Sequence, residues 1–171
     1  MKHLPASSFP ARSSSGFTMI ELMMVIAIAG ILATFALPSF KSMLLNQRIK
    51  TATEELFMSI SYARSEATMR GLSDAISIVP NDTSATKDWA LGWSVAGATT
   101  GTLKTFPAKK NIQITGPNVA LTYRMDGRLT AAAPAQPVFT ITAAGGAEIA
   151  TKCVIVRPSG QPLVRTGGGC P

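Results

Sequence analysis

The sequence predicts an α+β protein: one long N-terminal helix, membrane-spanning in its first half and amphipathic in its second, packed on a small antiparallel β-sheet domain. Three observations predict it. From Phe17 to Leu37 the chain reads FTMIELMMVIAIAGILATFAL, with Glu21 as its only formal charge. Beyond that run, small and apolar residues recur at helical steps as far as Ala67. After Gly71 the period falls to two, and turn residues punctuate the chain.

Composition bounds the rest. A chain of 171 residues holds one ordinary domain plus an appendage. With 46% hydrophobic and 15% charged residues it is not disordered. A mean hydropathy of +0.25 points to one segment carrying the excess. The net charge of +7 favours an anionic partner or surface. One histidine and two cysteines leave too little for a zinc site or a Cys–His nucleophile pair, so no metal, cofactor or enzymatic activity is expected.

The elements follow in order. Residues 17–37, at roughly 1.5 Å each, span about 31 Å, the thickness of a bilayer's hydrocarbon core. The leader before them carries Lys2 and Arg12 as its only formal charges, which keeps it cytoplasmic and exports the C-terminal part. In 38–70 the stripe Ile49, Ala52, Leu56, Ile60, Ala63 and Ala67 marks a core-facing helix, and Glu66–Arg70 is a favourable i,i+4 pair. Gly71 supplies the stop. In 71–171, alternation at Trp89–Val95, Ile112–Ile114 and Val119–Tyr123 predicts strands, with shorter ones near Ala75–Val79, Val138–Thr142 and Cys153–Arg157. Asp126-Gly127 predicts a hairpin turn, as do Asn81-Asp82, Gly145-Gly146 and Pro158-Ser159-Gly160; Ala131–Pro137 reads as a loop. Asp74, Asp82 and Asp88 read as solvated turn acids, and Trp89 and Trp93 as neighbours on one strand face.

Three readings compete for the N-terminus. A signal peptide cut after Ala36 would have a shorter apolar run and no carboxylate inside it. A plain anchor leaves Glu21 unexplained, at about 2.5–3.5 kcal/mol near a helix centre. The third accounts for Gly16, Phe17 and Glu21 together. Gly16-Phe17-Thr18-Met19-Ile20-Glu21 before a long apolar helix resembles the prepilin motif of type IV pilins and type II secretion pseudopilins. That resemblance implies removal of the leader, 1–16, by prepilin peptidase between Gly16 and Phe17, with methylation of the new amine. It also implies that Glu21 pairs with the amino group of a neighbouring subunit's Phe17 during assembly. Pro38 falls where such helices often carry a kinking proline.

The resemblance extends along the chain. Tyr62-Ala63-Arg64-Ser65-Glu66-Ala67, Gly92-Trp93-Ser94-Val95, Asp126-Gly127-Arg128-Leu129 and Cys153-Val154-Ile155-Val156 with Pro158-Ser159-Gly160 are similar, in order, to the GspH/FimT family. That family comprises minor pilins and the secretion pseudopilin H. It implies a subunit held in the inner membrane with its C-terminal domain in the periplasm, then built into a pilus or pseudopilus filament. Its partners are other minor and major pilins or pseudopilins, met through the N-terminal helix near the filament tip, where it helps initiate assembly. Some FimT members bind DNA through a Gly-Arg-x-Arg element in the final hairpin. Here that stretch reads Gly160-Gln161-Pro162-Leu163-Val164-Arg165, with a glutamine for the first arginine and the second displaced.

Two expectations concern the chain's end. Export places both cysteines in an oxidising compartment, and a Cys153–Cys170 bridge would pin the Gly167-Gly168-Gly169 tail. After Glu148 there is no acid, only Lys152, Arg157 and Arg165. If Val154, Val156 and Val164 face the core, both arginines face solvent and the turn between the strands holds an odd number of residues. The three cations are then candidate DNA contacts, against the simpler reading of a solvated basic edge that discourages strand aggregation.

Overall fold

The alternation of small and apolar residues at steps of three and four winds the chain into α1 (Met19–Arg70), the long helix of the computed structural model. The structure describes residues 16–71, 74–145, 149–167 and 170, without the side chains of 36–38; Lys2, Arg12, Gly146 and the middle of the glycine tail lie outside them. The chain divides into two units, one ending at Ser39 and one starting at Phe40. In the first, every described side chain is exposed, Met19, Ile20 and Phe35 among the most open.

The second unit is an α+β domain of one helix and two antiparallel sheets. Ile49, Ala52, Leu56, Ile60, Ala63 and Ala67 are all buried, so the stripe read from spacing is the face α1 turns to the core. The helix stops at Arg70 because Gly71 takes a φ of 64°, which costs glycine little.

The strands are β1 (Ile76–Pro80), β2 (Trp93–Gly97), β3 (Gly101–Phe106), β4 (Ile112–Thr115), β5 (Leu121–Tyr123), β6 (Val138–Ala143), β7 (Lys152–Val156) and β8 (Pro162–Thr166). One sheet has the order β3-β2-β1-β5, the other β4-β6-β7-β8. Inward residues of both meet the helix: Ile76, Ile78, Val95 and Leu121 from the first, Ile114, Phe139, Ile141, Val154 and Val156 from the second. Trp89 meets Phe139 edge-on at 4.7 Å between centroids, and Trp93 stacks on Phe106 at 5.3 Å.

Several expectations need correction. Trp89–Leu91 is a 3-10 turn rather than strand, because the Asp88 carboxylate accepts the Ala90 N–H at 2.8 Å and caps it. Trp89 and Trp93 therefore share no strand face, although both are fully buried. Val119 is 42% exposed and precedes β5 rather than belonging to it. Strand β3 carries no alternation of burial, since it is an edge strand with an extra residue, Leu103, against Val95 and Ala96. Asp74 is no solvated turn acid but is 5% exposed, and Val164 lies open at 39% on the edge strand.

Candidate functional site

The helix start is built by reciprocal capping. Thr18 precedes the first turn, and its carbonyl accepts the first helical bond, from the Leu22 N–H. Its hydroxyl accepts the Glu21 N–H at 3.3 Å and donates to Glu21 Oε2 at 2.8 Å; its own N–H reaches the same oxygen at 2.9 Å. This is a capping box, in which two first-turn donors find partners without water. Gly16 and Phe17 lie just before it, both exposed. Both of these bonds to the carboxylate use Oε2, and the Glu21 side chain is exposed.

The carboxylate stands at the head of an apolar surface left open by the described residues of its own unit. Phe17, Met19, Ile20, Met23, Met24 and Ile26 each keep more than half their area open. Such a surface is stable only against lipid or other helices. Among the described residues no single helix passes as a membrane span by length and composition; Met19–Phe35 does so only together with Ser39–Arg70.

The far end of α1 is clamped to the domain by Arg64 and Arg70. Arg64 Nε donates to the Gly127 carbonyl at 3.1 Å. Arg70 binds Glu66 at 2.7 Å and stands 3.8 Å from Asp74. Asp74 also accepts from the Thr100 hydroxyl and, at 2.8 Å, from the Thr99 N–H. Those bonds, the Thr100 hydroxyl's foremost, hold its carboxyl down at about 2.

In the final hairpin Arg157 pairs with Gln161 across three turn residues, an odd number. Cys153 opposes Arg165 and Val154 opposes Val164. Arg157 and Arg165 thus share the face turned away from Val154 and Val156, and both are exposed, with Lys152 half-buried. Four residues of strand, about 14 Å, separate them along that face, so they form no single anion cradle. Cys153 is bonded to Cys170 with 5.8 Å between Cα atoms, and is wholly buried. The Tyr123 hydroxyl donates to the Gly160 carbonyl at 3.1 Å, and burial pushes its phenol well above the usual range. Among the described residues no group of three His, Cys, Asp or Glu side chains is placed to hold a metal.

A family model for the prokaryotic N-terminal methylation motif matches residues 11–37, and one for type II transport protein GspH matches 52–160. The chain belongs to the GspH family. Two curated relatives, both described as fimbrial proteins of Pseudomonas aeruginosa, are 32% identical over 104 residues. That stretch covers 61% of this chain and 61% of each relative, so the chain matches about three fifths of their length. No solved structure matches. The GspH match contains the Arg64 and Arg70 clamps and both tryptophans, but ends at Gly160, before β8 and Cys170.

Three residues that hold this structure together escape the sequence reading. Thr18 was readable, since Thr and Glu at T-x-x-E spacing mark a capping box. Ser59 was not: it is fully buried, donates to the Leu56 carbonyl and accepts the Trp93 indole N–H at 3.0 Å. Arg64 stands inside the quoted signature, but its partner lies 63 residues away.

Proposed function

We propose that the protein is a minor type IV pilin of the FimT/FimU kind, which assembles by helix packing at or near a filament tip and helps initiate the pilus. The observation that carries this reading is the capped carboxylate at the head of an uncovered apolar helix, in a chain matched by the methylation motif. Prepilin peptidase removes 1–16 at Gly16–Phe17, and the Phe17 amine is methylated. The subunit waits in the inner membrane with its domain in the periplasm. During assembly the Phe17 ammonium of one subunit meets the Glu21 carboxylate of the next, so each charge offsets the other's desolvation. The role is structural and includes no catalytic step. N-terminal mass spectrometry tests it: a methylated Phe17 start is expected, and a start after Ala36 would sink it.

The matched family's description favours a second reading, a type II secretion pseudopilin in a short periplasmic filament. Co-isolation of cross-linked neighbours from native membranes separates the two, pilus subunits on one side and secretion components on the other. DNA binding through Lys152, Arg157 and Arg165 rests on less, namely two exposed arginines and a half-buried lysine in a stretch of sequence without acids. Titration with duplex DNA at low and moderate salt decides it, beside an Arg157→Ala/Arg165→Ala variant.

A further inference from the structure

The second unit begins with an unbalanced charge. Between Pro38 and Thr53 the helix carries Lys41, Arg48 and Lys50 and no acid. The loop between β3 and β4 adds Lys109 and Lys110. Two of the five are neutralised within the domain, Lys50 by Glu54 and Lys109 by Glu55. Lys41, Arg48 and Lys110 enter no ion pair among the described residues, and Arg48 reaches only the Lys110 carbonyl, at 3.4 Å.

These three cations surround amphipathic hollows. One, of about 320 Å³, is lined by the apolar Leu44, Leu45 and Ala144 together with Lys41, Arg48 and Asn111. Arg48 also walls the adjoining hollow, of about 340 Å³, together with Lys110, Ala52 and Ile112. Phe40 and Met43, beside them on the helix, are exposed at 59% and 70%. A lining that mixes apolar and cationic side chains fits a phosphate ester attached to a hydrocarbon better than it fits a nucleic-acid backbone, which offers no apolar group there.

Position along the chain names the source of such a ligand. Lys41 follows the last residue of the apolar run, Leu37, by four residues. Four residues span at most about 14 Å, however the two units are arranged.

We propose that the hollows walled by Lys41, Arg48 and Lys110 seat the headgroup of an anionic phospholipid at the bilayer surface, holding the unassembled subunit's domain against the membrane. The cations face the phosphate, and Leu44, Leu45 and Ala144 meet the glycerol and first acyl carbons. Extraction into a filament strips the lipid, so the seat acts only before assembly. The proposal rests on the membrane-anchored reading above.

The test uses the full-length protein in vesicles of phosphatidylcholine with admixed phosphatidylglycerol, and native mass spectrometry of the lipid it retains on release. The wild type should retain phosphatidylglycerol over phosphatidylcholine by about tenfold, less at high salt. Lys41→Gln/Arg48→Gln/Lys110→Gln should lose that preference. The swap Lys41→Arg/Arg48→Lys/Lys110→Arg should keep it, and so should Lys152→Gln/Arg157→Gln/Arg165→Gln, which removes equal charge elsewhere. Equal retention of both lipids by the wild type overturns the proposal, as does equal loss in the two glutamine variants. So does a cluster that cross-links to a neighbouring subunit while the first glutamine variant keeps its lipid. Alkaline extraction separates the failures: a protein washed from the vesicles refutes the anchored reading and this one together, whereas an inserted protein without lipid preference refutes this one alone.

Discussion

The Ser59 hydroxyl accepts the indole N–H of Trp93 at 3.0 Å, and both side chains are fully buried. Ser59→Ala leaves that N–H without its partner in the core, which costs about 1–3 kcal/mol. Urea unfolding of the full chain in detergent, followed by tryptophan fluorescence, should show a lowered midpoint with an unchanged slope.

Acid should unfold the domain through two carboxyls. The Thr100 hydroxyl and then the Thr99 N–H hold Asp74 at about 2; the Asp88 N–H and then the Ser84 hydroxyl do the same for Asp82. Both lie below the ordinary 3.8, so between about pH 4 and pH 2 the unfolded chain binds more protons than the folded one. Their stabilisation is complete above that window and is lost as pH falls through it. Thermal midpoints taken across it should fall steeply for the wild type and less so for Asp74→Asn/Asp82→Asn, whatever the level at neutral pH.

Reduction should loosen the chain's end. The Cys153–Cys170 bridge closes a loop with a sequence separation of 17, worth roughly 3 kcal/mol in the chain-entropy model. Cys153→Ser/Cys170→Ser should lower stability by about that amount and make it insensitive to reductant. An equal response to reductant in both proteins would contradict the bridge.

Gly160 cannot carry a side chain. Its φ is 81°, and a Cβ there would stand 1.9 Å from the Gly127 carbonyl oxygen. Gly160→Ala should cost about 2 kcal/mol or more. Gly145→Ala has a similar φ of 87° but open space around it, and should cost less in the same melt.

Thr18→Ala removes one side of the capping box and should cost the helix start about 1 kcal/mol. Hydrogen exchange of the Glu21 amide in micelles should quicken about fivefold, with the second unit's amides unchanged.

The sequence made the helix legible because burial on a helix repeats at its own period: all six residues of the Ile49–Ala67 stripe are buried. The final hairpin was legible from its odd turn and from Val154 and Val156 packing into the core, although burial along β7 is continuous, with Cys153 and Ile155 covered too. Edge strands gave no such signal. Strand β3 has a bulge and is exposed along most of its length, and Val164 lies where the sheet ends. The turn at Trp89 imitates alternation, and only the Asp88 cap tells it from a strand. Asp74 looked solvated because its partners, Thr99 and Thr100, come back from 25 and 26 residues away. At the helix start, the T-x-x-E spacing of Thr18 and Glu21 carries the capping pair over only three residues, a local signal that the sequence reading passed over.

The contact between Gly160 and Gly127 decides where the protein can be tagged. The Pro158–Gly160 turn is short and lies at a hairpin tip, the usual choice for an inserted epitope or dye. Yet its backbone is wedged against the carbonyl that Arg64 grips from the helix, and its own carbonyl is held by Tyr123. An insertion there would separate the helix and both sheets at one point. The loop 131–136 is mostly exposed, with none of those ties, and is the place to carry a label without disturbing the core.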